Sequence, residues 1–260
     1  MLKLFPWILT LAPLALAQLP APNAAGVSMG HLHLNVKDID AAKSFYVDQL
    51  GATPVKLGNN EVMKFPGALV FLKKADPTGG SEGSVVQHVG FLVRDLDPCL
   101  ARWKANSVKI LSENPANRQV FIQSPDGLKI EIYEDKTISA PIVNHHIHFY
   151  DGSVSETKAW YVKTFSAKAG MRGRFEAADV PGVNLSFSQS EKPVAGTKGR
   201  ALDHIGFEVK DLESFCKKLE AEGIKFDVPY RRVPALGISI AFFTDPFGTY
   251  IELTEGLSKL

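Results

Sequence analysis

Four stretches of this 260-residue chain open in the same way, and that repetition restricts the fold more than any other feature. They begin GHLHLNVKDIDAAKSFYVDQLGA at Gly30, QHVGFLVRDLDPCLARWKANSVKI at Gln87, HHIHFYDGSVSETKAWYVKTF at His145 and DHIGFEVKDLESFCKKLEAEGIKF at Asp203. Each starts with a short alternating run, passes a polar turn and enters an amphipathic stretch of helical period, which predicts a strand feeding a helix. Short β-branched or aromatic runs broken by Gly and Pro follow in each repeat. Ser124-Pro125-Asp126-Gly127 and Asp245-Pro246-Phe247-Gly248 are type I turn signatures, each leading into a final strand. The expected module is therefore strand, helix, three strands, and the fold class is α+β.

The repeats are duplicated in register. His31 and Tyr46 are 15 residues apart, as are His146 and Tyr161. His31 to His88 spans 57 residues and His146 to His204 spans 58. Gly127 to Glu131 and Gly248 to Glu252 are each 4 residues. Modules one and two thus correspond to modules three and four. This predicts a first unit over residues 27–136 and a second over 137–260, divided in the polar stretch Glu134–Ile142.

Equivalent positions carry metal-binding chemistry. The first strands offer His31, His88, His146 and His204, and the last strands of the even modules offer Glu131 and Glu252. At the corresponding place the odd modules have Phe71 and Ser186, four residues past Gly67 and Gly182. Two histidines and one carboxylate form the facial set that holds Fe(II) and similar ions with positions left open. A lone strand histidine is usually a hydrogen-bonded structural residue; six such positions recurring in register are hard to credit to chance. His33 and His148 follow His31 and His146 by two, so each pair shares a face, about 6.6 Å apart along a strand. They are candidate site residues, as an extra ligand, a proton shuttle or a substrate contact, beside the plainer reading of packed histidines. The modules facing them have Gly90 and Gly206 at that place, leaving space. Alternation puts His145 on the opposite face.

The H-x-G/H-F/L-x-V/Y opening, the S/D-P-x-G turn and the following Glu resemble the vicinal oxygen chelate superfamily. Glyoxalase I, fosfomycin-resistance thiol transferases, methylmalonyl-CoA epimerase and extradiol dioxygenases are members. The resemblance runs from about Val27 to Glu255. It implies that the four βαβββ modules pair into two cupped barrel-like sheets, one for each half of the chain, each around a divalent ion (Fe2+, Mn2+, Zn2+ or Ni2+). The ligands it implies are His31, His88, Glu131, His146, His204 and Glu252. It also implies a small-molecule substrate that chelates the ion through two oxygens. A glyoxalase-type second carboxylate is replaced by Phe71 and Ser186. An extradiol-type Tyr is replaced by Phe242, with Phe121 in the first half.

The N-terminal stretch is read apart from the fold. Lys3, the apolar run Leu4–Ala17 and the ending Ala15-Leu16-Ala17 predict a signal peptide over residues 1–17 and a secreted or periplasmic protein. The run is shorter than the ~20 apolar residues of a spanning helix. No stable membrane association is expected after cleavage. Residues 18–26 are expected to be a flexible lead-in. Cys99 and Cys216 fall on the apolar stripes of two predicted helices, so two unpaired thiols are expected. A net charge of +1 gives no electrostatic footprint for nucleic acid. The expected function is an exported metalloenzyme on a small oxygenated substrate, with lyase, transferase and dioxygenase chemistry all open. The alternatives are a non-catalytic small-molecule or metal-binding protein, or an extradiol-type dioxygenase.

Overall fold

The computed structural model describes residues 19–260, so the expected signal segment lies outside the described residues. The first module comprises β1 (Val27–Val36), α1 (Ile39–Ser44), β2 (Thr53–Leu57), β3 (Asn60–Phe65) and β4 (Ala68–Lys74), with one wider π turn after α1 at Phe45–Gln49. The second comprises β5 (Val86–Val93), α2 (Leu96–Ala105), β6 (Lys109–Asn114), β7 (Gln119–Gln123) and β8 (Lys129–Glu134). The third comprises β9 (Ile142–Asp151), α3 (Val154–Phe165), β10 (Lys168–Arg172), β11 (Phe175–Val180) and β12 (Val183–Gln189). The fourth comprises β13 (Leu202–Val209), α4 (Leu212–Ala221), β14 (Val228–Val233), β15 (Ile238–Thr244) and β16 (Tyr250–Glu255).

Local chemistry sets these boundaries. The Asp38 carboxylate accepts from the amides of Asp40 and Ala41 to start α1, and Asp211 accepts from Ser214 to start α4. The two predicted turns close as expected, with Gly127 and Gly248 donating to the carbonyls of Ser124 and Asp245 at 3.0 and 3.2 Å. Both glycines have φ above 90°, where a side chain would be strained.

The pairing of the modules corrects one expectation. One eight-stranded sheet has the order β14-β15-β16-β13-β1-β4-β3-β2, joining module four to module one. The other has the order β10-β11-β12-β9-β5-β8-β7-β6, joining module three to module two. Residues 27–136 and 137–260 therefore do not each close a cup. All four first strands carry similar edges, so the repeats alone leave two pairings possible. The linkers decide: residues 135–141 turn β8 straight back into β9, while 75–85 and 190–201 are longer and cross between the sheets. The two crossings brace each other, with Thr78 donating to Gly199 O and Ala201 to Gly79 O, both at 2.9 Å.

Each sequence half survives as a packing unit on the helix side. Trp103 in α2 donates its indole N–H to Gln49 O of module one at 2.9 Å. Tyr161 in α3 donates to Asp245 of module four at 2.8 Å. The halves do not have separate cores: one contiguous apolar cluster runs from Val27 to Leu253 through both sheets. Cys99 is half-buried and Cys216 buried, and both are free. The lead-in is packed rather than flexible over its described residues: Asn23 donates to Phe165 O at 2.9 Å and accepts from Ala25 and Val27. Among the described residues, no helix is long and apolar enough to cross a membrane.

Candidate metal centres in two cups

Each sheet curls so that its central antiparallel strands face into a cup. In the first cup β1 pairs with β13, placing His31 opposite Gly206 and His33 opposite His204. In the second, β9 pairs with β5, placing His146 opposite Gly90 and His148 opposite His88. The glycines are required. A methyl on Gly90 would lie 1.9 Å from His146 Cε1, and one on Gly206 would lie 2.1 Å from His31 Cε1. Each imidazole thus lies against the facing backbone. The carboxylates come from the parallel neighbours, Glu252 beside Gly206 and Glu131 beside Gly90.

All six expected ligands are brought together, but across the halves. The clusters are His31, His33, His204 and Glu252, and His88, Glu131, His146 and His148. His31 and His88, expected in one centre with Glu131, lie in different cups.

In the first cup His31 Nε2 and His204 Nε2 each lie 2.9 Å from Glu252 Oε2. Asp203 Oδ1 meets His204 Nδ1 at 2.6 Å, and Asp203 is itself held by Asn35 and Gly199. In the second cup His146 Nε2 and His88 Nε2 lie 2.8 and 3.2 Å from Glu131 Oε2, and 3.4 Å from each other. Gln119 donates to Glu131 Oε1 and, at 2.8 Å, to the Tyr133 hydroxyl.

These donors fit a divalent ion. Atoms bound to one ion at about 2.1 Å and at right angles lie about 3 Å apart. The second cup's three distances bracket that spacing. His31 Nδ1 is buried with no hydrogen-bond partner, leaving its Nε2 as the engaged nitrogen. Burial works to raise the Glu131 carboxyl, but the His146 and His88 imidazoles hold it well below the usual carboxylate range. Glu252 is likewise held low against its burial by His31 and His204. Burial takes His146 down to about 3, and burial with the neighbouring His88 and His146 takes His148 down to about 2. Neutral imidazoles around an ionised carboxylate are the protonation states a metal requires. His204 differs: burial pulls it down, yet Asp203 and Glu252 carry it above its ordinary value.

The family model described as the Glyoxalase/Bleomycin resistance protein/Dioxygenase superfamily matches residues 28–132 and 144–253. The chain belongs to this superfamily. Among solved structures, glyoxalase I from Zea mays is similar with a TM-score of 0.73 at 18% identity, over 90% of this chain and 94% of that one. A putative dioxygenase from Bacillus subtilis subsp. subtilis str. 168 is similar with a TM-score of 0.70 at 15% identity, over 92% and 86%. No curated protein matches significantly.

The superfamily's module repeats with unlike fillings in the two cups. Strand register makes Leu57, Val62, Leu69 and Phe71 of the first cup equivalent to Arg172, Ala177, Asn184 and Ser186 of the second. Ile240 and Thr254 likewise correspond to Gln119 and Tyr133. The first cup is filled by a second apolar cluster, built from its four equivalents with Leu257 and capped by Leu236, Ile238 and Leu260. Leu257, 1% exposed, starts a short 3₁₀ turn, Leu257–Lys259, that seats on the cup. Glu208 accepts from the amides of Gly256 and Ser258, and Lys64 donates to Leu260 O. The second cup instead opens as a cavity of about 510 Å³ reaching His88, Glu131 and His148.

Arg172, Gln119 and Tyr133 were not foreseen from the sequence, whereas His33, His148, Phe71, Ser186, Phe121 and Phe242 were. Arg172 donates from Nε to Ser186 Oγ at 2.7 Å and sets Nη2 3.4 Å from His148 Nδ1 and 3.9 Å from Glu131. His148 Nε2 also meets Ser188 Oγ at 2.9 Å, whereas His33 stacks between His204 and Phe71. His145 is a correction. A bulge between Gly90 and Phe91 on the β5–β9 ladder breaks the alternation, and His145 Nδ1 comes within 3.0 Å of His146 Nδ1. Phe121 and Phe242 stand edge-on to His88 and His204, each at 5.4 Å, as their register predicts.

Proposed function

We propose that this chain is an exported, metal-dependent enzyme of its superfamily and that its chemistry takes place in the second cup. The observation that carries this is the cavity of about 510 Å³ lined by His88 and Glu131, two members of a donor cluster that the buried His146 completes. A divalent ion there would supply Lewis acidity to two neighbouring oxygens of a small substrate. The side chains around it have separable tasks. Gln119 fixes the free oxygen of Glu131. His148 is neutral and lies in the cavity wall, its Nε2 held by Ser188 and its Nδ1 facing Arg172, so its ring is a fixed wall against bound substrate. Tyr133 offers a hydroxyl on the same face, a donor that Phe121 lacks. In the first cup the same donor set is closed off by Leu257 and Phe71, which suits an ion that stays bound rather than one that exchanges substrate.

The test is reconstitution with Fe2+, Mn2+, Zn2+ or Ni2+ one at a time, followed by elemental analysis and a turnover screen. The screen would include thiol adducts of 2-oxoaldehydes, catechols and epoxides. Turnover should disappear in Glu131→Gln and His88→Ala and survive in Glu252→Gln. A chain that retains no ion, or whose turnover follows Glu252 rather than Glu131, overturns the proposal.

A further inference from the structure

We infer that the second cup takes substrates bearing an anionic oxyanion group, a carboxylate or a phosphonate-like group, in addition to the two oxygens that meet the ion. The inference rests on the reading of that cup as the reacting site, and it names the substrate class.

The cavity wall carries one acid, Glu131, which belongs to the ligand set. Against it stand two guanidinium groups, Arg174 in the wall itself and Arg172 with its Nη2 3.9 Å from Glu131. Arg172 and Arg174 flank Phe175, with their guanidinium carbons 5.5 and 5.2 Å from its ring centre. That ring lies 4.7 Å from the His148 imidazole, so the arginine pair borders the candidate metal cluster. Arg172 is anchored by Ser186 and leans toward Glu131. Arg174 lines the cavity and, among the described residues, forms no ion pair with a carboxylate. With a divalent ion in place, Glu131 cancels one positive charge and the two arginines add two. A neutral substrate would leave that excess unmatched beside a partly desolvated ion. An oxyanion a few bonds from the chelating oxygens would answer it, through the planar donor fork that guanidinium presents to carboxylate or phosphonate oxygens. In the first cup the equivalent residues are Leu57 and, at the hairpin turn, Asn59. The pair thus accompanies the open cup and not the fold in general.

The experiment uses Zn2+-loaded full chain and three redox-inert chelators. Acetohydroxamate is neutral, N-hydroxysuccinamate adds a carboxylate, and phosphonoacetohydroxamate adds a phosphonate. Elemental analysis of the native chain and of Glu131→Gln first establishes the ion in the second cup. Calorimetric titration then compares the chelators in the native chain and in Arg174→Gln, whose exposed position keeps the fold out of question. At least one anionic hydroxamate should bind roughly 10- to 100-fold more tightly than acetohydroxamate, the worth of one hydrogen bond to a charged partner. The preference should collapse to within about threefold in Arg174→Gln, with acetohydroxamate affinity and zinc content unchanged. Which anionic arm gains more identifies the oxyanion. If zinc binds but the three chelators bind alike, or the preference survives Arg174→Gln, the inference is wrong and the metal reading stands. If Glu131→Gln loses no zinc, the metal reading is wrong and takes the inference with it.

Discussion

Replacing Gly90 with Ala should dismantle one candidate metal centre and spare the other. The added methyl would sit 1.9 Å from His146 Cε1 and 2.1 Å from Nδ1. Ordinary contact begins near 3.4 Å, so the imidazole must move by about 1.5 Å. It cannot make that movement freely. His146 is fully buried, its Nδ1 meets His145, and its Nε2 lies 2.8 Å from Glu131. A displacement of that size breaks the Nε2–carboxylate spacing and leaves His88 and Glu131 without a third donor. Overpacking of this kind costs about 1–3 kcal/mol of stability. Metal affinity should fall further, by more than the roughly 10- to 100-fold that loss of an outer-sphere partner alone produces. The assay is elemental analysis of chain dialysed against a buffered divalent ion. Two ions per native chain should become one, and the remaining ion should be lost on further change of Glu252 but not of Glu131. Gly206→Ala, with its methyl 2.1 Å from His31 Cε1, should give the mirror result. A Gly90→Ala chain that keeps both ions with native affinity would show that His146 is not a ligand.

Three further outcomes follow from the same geometry. A chain stopped after Gly256 loses the Leu257 plug, so a chelator should strip the first cup's ion at least about tenfold faster, since seats of low local stability open most often; equal stripping rates would show that the plug does not guard the ion. Metal-free protein should weaken as pH falls below about 6.5, because His146 and His148, at about 3 and 2 when folded, stay neutral while their unfolded counterparts take up protons. Their stability is fully present above the unfolded value and is lost as pH drops, at up to about 1.4 kcal/mol per unit for each, opposed by the raised His204; an equal or higher urea midpoint at pH 5.5 than at 7.5 would contradict this. Secreted protein should begin at Gln18, and mass analysis finding Met1 on membrane-bound chain would refute export.

The modules and the candidate ligand cluster positions were legible in the sequence because each rests on local periodicity. His31, His88, His146 and His204 stand at one place on one strand, and a fixed count from Gly127 or Gly248 reaches Glu131 or Glu252. The partnership of modules was not legible. A first strand presents the same pattern to either neighbour, and only the lengths of the segments at 75–85, 135–141 and 190–201 separate the two arrangements. The same ambiguity misassigned His31 to the centre of Glu131. His145 was misplaced for a different reason: strict alternation holds only where no residue is inserted, and the bulge at His145 inserts one. Arg172 had a signal that was overlooked. Aligning LGNNEVMKFPGALVF from Leu57 with RGRFEAADVPGVNLS from Arg172 sets Leu57 against Arg172 and Phe71 against Ser186. Within each strand of that alignment alternate residues face a cup, so the exchange of leucine and phenylalanine for arginine and serine already distinguishes a filled cup from an open one.

That exchange also shows how two copies of one candidate metal cluster come to have different surroundings. A buried set of two imidazoles and a carboxylate is costly to leave unmatched by charge, since each polar group has left water. In the first cup the cost is met locally. Asp203 engages His204, the Glu252 carboxylate spans both imidazoles, and Leu57, Val62 and Phe71 exclude water from the remainder. In the second cup Gln87 takes the place of Asp203 on the His88 imidazole, and the neighbours of the cluster are polar: Arg172, which donates to Ser186, and Gln119 and Tyr133, which line the cavity. Polar walls facing an open space are the condition for binding a polar ligand, whereas an apolar fill removes it. Reversing the asymmetry therefore needs changes at a few cup-facing positions. Leu57→Arg with Phe71→Ser in a chain stopped after Gly256 should admit acetohydroxamate to the first cup. Calorimetry should then find two chelator sites where the native chain shows one. A single site in that triple variant would mean that the cluster of His31, His204 and Glu252 is closed to ligands by more than its apolar filling.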